Sequence, residues 1–115
     1  MDYIYKIEIE LDDEKIICED KYEIGDIYNT IRKCFTSEGF VEEKKNEKSM
    51  IFAYKKGDSK AFSKVGIVCN ALYDAKWFKP YVTKMLWFDL SDDSVEDVLA
   101  SFSAYDRKYG KTYGK

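Results

Sequence analysis

Residues 69–90 read CNALYDAKWFKPYVTKMLWFDL, and the break inside this stretch decides what kind of fold the chain adopts. Its left half closes a helix: Phe62, Val65, Cys69 and Leu72 recur at helical spacing on one face of a segment over 59–75. Pro80 forbids continuation, because proline lacks the amide proton and biases the preceding residue toward extended backbone. Residues 81–90 then read as a strand, with Val82, Leu86, Phe88 and Leu90 on one face and Met85 and Trp87 on the other. Trp77 and Phe78 stand at the junction, where aromatic side chains plug the seam between helix and sheet.

Upstream, residues 3–11 alternate cleanly. Tyr3, Tyr5, Ile7, Ile9 and Leu11 point one way, and Ile4, Lys6, Glu8 and Glu10 the other, as in a half-buried strand. KIICED at 15–20 is a second hairpin strand or an ordered crossover. Ile24, Ile27, Ile31 and Phe35 mark an amphipathic helix, with Asp26 as its N-cap and Gly39 placed for a left-handed C-terminal residue. Phe40–Val41 and SMIFAYKK make two strands joined by a charged turn. Downstream, Ser94 stands three residues before Asp97 in a capping arrangement, and Val95, Val98, Leu99 and Phe102 follow at helical spacing.

The order strand–helix–strand–strand–helix–strand–helix is that of an α+β, ferredoxin-like split β-α-β fold (β-α-β-β-α-β) with an antiparallel sheet and an added C-terminal helix. It forms one domain over 1–106, followed by a flexible polar tail, 107–115. Right-handed crossovers put both helices on one face of the sheet. The other face is left bare, and Ile4, Met85 and Trp87 are expected there as a dimer interface, covered by a second copy or a protein partner.

Composition narrows the chemistry. The chain has 115 residues, no histidine and a net charge of −3. Without histidine, the usual general base, the commonest zinc ligand and the Ser/His and Cys/His nucleophile pairs are all missing. Chemistry falls to Asp, Glu, Lys, Tyr or Ser, or to a metal bound through oxygen. Cys18, Cys34 and Cys69 are widely spaced and odd in number, and two of them fall at apolar positions of helices, where a free thiol acts as a small hydrophobe. No apolar run has the ~20 residues that span a bilayer. The start MDYIYKIEIE lacks a basic segment ahead of an apolar one, so a cytoplasmic location is expected, away from any membrane.

An ordered set of segments resembles the virulence-associated protein D (VapD) family. NAL followed by Trp77 closes the second helix and leads into the last strand at Val82. GFV at 39–41, SMIF at 49–52 and YKIEIEL at 5–11 fall in the corresponding places. The resemblance spans about residues 3–100, with longer insertions near 12–22, 42–48 and 55–60. It implies a ferredoxin-like homodimer with endoribonuclease activity, in some members as the toxin of a toxin–antitoxin pair. The family's functional acid ends the first strand, and Glu10 stands there, where the family has aspartate. Ser49 matches a family serine at the start of the middle strand and is expected in the catalytic site, positioning phosphate. Glu10 is thus the expected catalytic carboxylate and the expected ligand for a metal such as Mg²⁺. Misplacing such a group by ~1 Å can cost ~100-fold in rate, so the longer side chain matters.

The residues alone leave a second reading open, in which Glu8, Glu10, Asp12, Asp13 and Glu14 form a solvated acidic edge. Lys44, Lys45, Lys48, Lys55 and Lys56 on the central hairpin, with Phe52 and Tyr54 nearby, are candidates to bind single-stranded RNA by charge and stacking. Two functions follow: a VapD-like endoribonuclease, or a non-catalytic dimeric interaction module of the antitoxin, phage or mobile-element accessory type.

Overall fold

The alternation at the start of the chain becomes β1, Tyr3–Leu11, the middle strand of a five-stranded antiparallel sheet. The computed structural model describes residues 2–43 and 49–110. After β1 come α1 (Asp13–Glu19), α2 (Ile24–Thr36), β2 (Val41–Glu43), β3 (Ser49–Lys55), α3 (Ala61–Asp74), β4 (Val82–Asp89), β5 (Ser94–Asp97) and α4 (Val98–Tyr105). The sheet order is β2-β3-β1-β4-β5, and every neighbouring pair is antiparallel. The fold is α+β, with an open sheet and four α-helices. Among the described residues, no helix is long and apolar enough to cross a membrane.

One face of the sheet carries the core. Tyr5, Ile7 and Ile9 of β1 and Met50, Phe52 and Tyr54 of β3 are buried against Ile27, Ile31 and Phe35 of α2 and Val65, Val68 and Leu72 of α3. Phe35 stacks flat on Phe52 with centroids 4.1 Å apart, which fixes α2 over the sheet. Gly39 ends the α2 turn at φ +95°, where a side chain would be strained and would press on the Tyr54 ring. At the seam between α3 and β4, Phe78 and Tyr81 are buried. The backbone N–H groups of Tyr81 and Val82 both donate to the Phe78 carbonyl. The aromatics there are a plug.

Several expectations are corrected. Of the two readings of residues 15–20, the strand is excluded and the ordered crossover holds, as the helix Asp13–Glu19. The Asp12 carboxylate caps it by accepting from Lys15 N–H, Asp13 and Glu14 suit its positive end, and Ile16 anchors it in the core. Phe62 is 67% exposed, because the buried stripe of α3 runs through Ala61, Val65, Val68 and Leu72. Ser94 caps nothing. It opens β5, which folds back from β4 through a turn with Asp93 at φ +58°, and Asp97 caps α4 by accepting from Leu99 and Ala100 N–H. A π-helical turn, Asp106–Gly110, continues α4 where a polar tail was expected from 107; residues 111–115 lie outside the described part.

The correction that matters most concerns β4. Val82 packs against the core as expected. Pairing with β1 then slips: Leu11 faces Val82, but Glu10 faces Lys84, so Thr83 is an extra residue. A single inserted residue reverses the facing of everything beyond it. Met85 and Trp87 therefore oppose Ile9 and Ile7 and point toward the helices. Met85 is 0% exposed, and Trp87 meets the Tyr5 ring edge-on. Met85 is thus closed off from a dimer interface, and Trp87 points away from the open face where the interface was expected. Ile4 stands at an irregularity in the pairing of β1 with β3 and packs, half-buried, against the core.

Candidate functional site

The same slip decides what the open face carries. Beyond it, Lys84, Leu86 and Phe88 share the face of Lys6, Glu8 and Glu10. On the other side of β1, Ser49 is the direct partner of Glu10 and Ile51 that of Glu8. A row Ser49–Glu10–Lys84 thus crosses the three central strands, with Glu8 one step along. β1 is flanked on both sides, so Glu8 and Glu10 are not a solvated edge.

The four side chains converge. The Ser49 hydroxyl lies 2.9 Å from Oε2 of Glu8 and 2.9 Å from Oε2 of Glu10. Lys84 Nζ lies 3.2 Å from Glu10 Oε2 and 3.7 Å from Glu8 Oε2. Alternate residues of a strand share a face, which is why two glutamates two apart can hold one ammonium. The hydrogen bond to Glu10, and the charges of Glu8 and Glu10, hold the Lys84 ammonium above the ordinary lysine value. Ser49 is 1% exposed, so its hydroxyl orients carboxylates and does not meet a large substrate. Lys84, with 40% of its side chain exposed, is the group of this cluster that solvent reaches most.

Sequence reading had placed Glu10 and Ser49 in a site, and the fold brings them together. It missed Glu8 and Lys84. The signal for Lys84 was available, since a lone lysine at the parity of Val82 does not belong in a core-facing row.

The predicted RNA-binding lysines do not gather here. Lys44, Lys45 and Lys48 fall outside the described residues. Lys55 and Lys56 are exposed at the far end of β3, six residues or roughly 20 Å along the strand from Ser49. Phe52 and Tyr54 are buried in the core and offer bases nothing to stack on.

A divalent ion fits poorly at Glu10. Two carboxylates already share the positive charge of Lys84, and among the described residues no group of three or more His, Cys, Asp or Glu could hold a metal. Cys34 and Cys69 are not ready nucleophiles either. Burial raises the Cys34 thiol, and burial with the nearby Glu96 charge pushes Cys69 up to about 11, so neither forms a ready thiolate. Surface hollows of ≈ 640 and ≈ 460 Å³ lie at the end of α3 around Tyr73, away from the Glu–Lys cluster. The Glu–Lys cluster itself sits on the face of the sheet opposite the helices.

No protein-family model matches this sequence, and neither does any curated protein or solved structure.

Proposed function

We propose that this chain is a ferredoxin-like endoribonuclease of the VapD type that acts as a symmetric dimer on single-stranded RNA. The observation that carries the reading is the row Ser49–Glu10–Lys84: an oriented carboxylate hydrogen-bonded to a cation on an open face. Such a pair combines a base for a hydroxyl with a charge for a phosphate, and it needs no histidine. The ferredoxin-like assignment is supported by the strand order. Without β5, the sheet reads β2-β3-β1-β4, the order of a split β-α-β sheet, with α2 and α3 as its crossovers. Phe88 lies on the face of Lys84 and supplies a ring for a base to stack on.

The test is cleavage of a mixed-sequence single-stranded RNA by wild type and Glu10→Gln, with sedimentation to establish the oligomer. Loss of at least ~100-fold in Glu10→Gln at unchanged oligomeric state supports the reading. Equal cleavage by both proteins defeats it.

A second reading rests on its own observation. Val41 and Val95 are exposed on the open face, and Ile51, Leu86 and Phe88 beside them are half-buried. A non-catalytic dimeric module would use this apolar area as its interface, with Glu8, Glu10 and Lys84 setting the register. A stable dimer with no cleavage favours it.

A further inference from the structure

The reading above makes Glu10 a base and leaves Lys84 only its charge, and their spacing gives Lys84 a further role. We propose that Glu10 and Lys84 are the base and the acid of a metal-independent transesterification of RNA, and that Glu8 is the positioning residue that holds Lys84 when the pair opens. The inference rests on the ribonuclease reading and says how the bond is broken.

The chemistry balances without a co-reactant. The Glu10 carboxylate takes the proton of a ribose 2′-hydroxyl, and the 2′-oxygen bonds to the adjacent phosphorus. The bond from phosphorus to the 5′-oxygen breaks, and the Lys84 ammonium gives that oxygen its proton. The products are a 2′,3′-cyclic phosphate and a 5′-hydroxyl. Glu10 is left protonated and Lys84 neutral. With Oε2 and Nζ 3.2 Å apart, the proton returns directly from one to the other and the site is reset.

In-line attack puts the nucleophile and the leaving oxygen on opposite sides of phosphorus, so the pair must part to admit it. Lys84 can do this, because its stem is a flexible four-carbon chain and its head is 40% exposed. Glu8 Oε2, at 3.7 Å, is the second anchor that keeps the ammonium over the site. Ser49 meets the same Oε2 atoms from the neighbouring strand with one hydroxyl proton to give, and this contact with Glu10 remains while Lys84 moves.

The experiment follows single-stranded RNA in EDTA with wild type, Lys84→Gln, Lys84→Arg and Glu8→Gln, reading product ends by mass spectrometry. Wild type is expected to leave cyclic phosphate and 5′-hydroxyl ends. Lys84→Gln should lose ~100-fold or more in kcat. Lys84→Arg keeps the charge but is a poor proton donor, so it should bind RNA normally and turn over slowly. Glu8→Gln should lower kcat less than either.

The deciding substrate carries sulfur in place of the 5′ bridging oxygen, a leaving group that needs no proton. It should restore Lys84→Gln to within a few-fold of wild type. Failure of that rescue in a variant whose thermal midpoint matches wild type overturns the assignment of Lys84. Ends bearing a 5′-phosphate, or cleavage abolished by the chelator, overturn the metal-independent step while the ribonuclease reading survives. Wild type that cuts no RNA in EDTA or in Mg²⁺ removes the reading itself, and the inference with it.

Discussion

Removing the Ser49 hydroxyl probes the site without touching a charge. Its oxygen lies 2.9 Å from one carboxylate oxygen of Glu8 and 2.9 Å from one of Glu10, but it has a single proton to give. A hydrogen bond to a charged acceptor contributes about 1.5–3 kcal/mol. Water reaches both carboxylates, whose side chains are 19% and 27% exposed, and partly replaces the lost donor. Ser49→Ala should therefore cost about 1–2 kcal/mol, toward the lower part of that range. Double-mutant cycles with Glu8→Ala and with Glu10→Ala divide the loss. Because the proton serves one acceptor at a time, the two coupling energies should add to roughly the single cost, about 0.5–1 kcal/mol each. Urea unfolding followed by circular dichroism measures all of them, since m-values near 1–3 kcal/mol/M turn such energies into resolvable midpoint shifts. Couplings of both pairs within ~0.3 kcal/mol of zero would refute the shared hydroxyl. So would either pair alone accounting for the full cost.

Three further outcomes check the fold around the site. Met85→Ala should destabilise by about 2–5 kcal/mol, whereas Val95→Thr on the open face should stay within about 0.5 kcal/mol; reversed costs in urea unfolding would put the strand slip in the wrong place. Gly39→Ala should cost more than about 1 kcal/mol, because φ is +95° and the new Cβ would lie 3.2 Å from the Tyr54 ring; an unchanged midpoint contradicts that geometry. Tyr54, Tyr73 and Tyr81 hydrogen-bond Asp58, Asp106 and Glu19, and each phenol is pushed up to about 12, in the first place by that bond. A folded value above the unfolded 10.0 means stability is fully present below pH 10 and lost as pH rises toward 12. Thermal midpoints across that interval should fall less steeply in Tyr54→Phe than in wild type.

Much of this was legible in the chain, and the remainder failed for identifiable reasons. The alternation of residues 3–11 and the stripe Ile27, Ile31, Phe35 name a strand and a helix face because backbone geometry repeats the chemistry at fixed periods. Glu10 came from a resemblance, and pairing to Ser49 gave it a neighbour that no periodicity showed. The extra residue at Thr83 leaves no mark in the pattern of apolar residues, which continues through Leu86, Phe88 and Leu90 as if unbroken. Only the charge of Lys84 betrayed it. The helix at Asp13–Glu19 is short, and its stability comes from one cap and one buried isoleucine more than from a long stripe. At residues 94–97 a capping pattern and a strand competed, and pairing with Leu86–Asp89 decided for the strand.

The two outer strands have a consequence for how copies of this protein meet. β2 has three residues and β5 four, and between them they place Glu42, Glu43, Glu96 and Asp97 along the two borders of the sheet. Arg32 pairs with Glu42 and Lys6 with Glu43, so the β2 border carries ion pairs, and its three residues, like the four of β5, give another sheet little edge to join side to side. Side-by-side growth into fibres is thereby disfavoured, and the broad open face is left as the larger surface for any second copy.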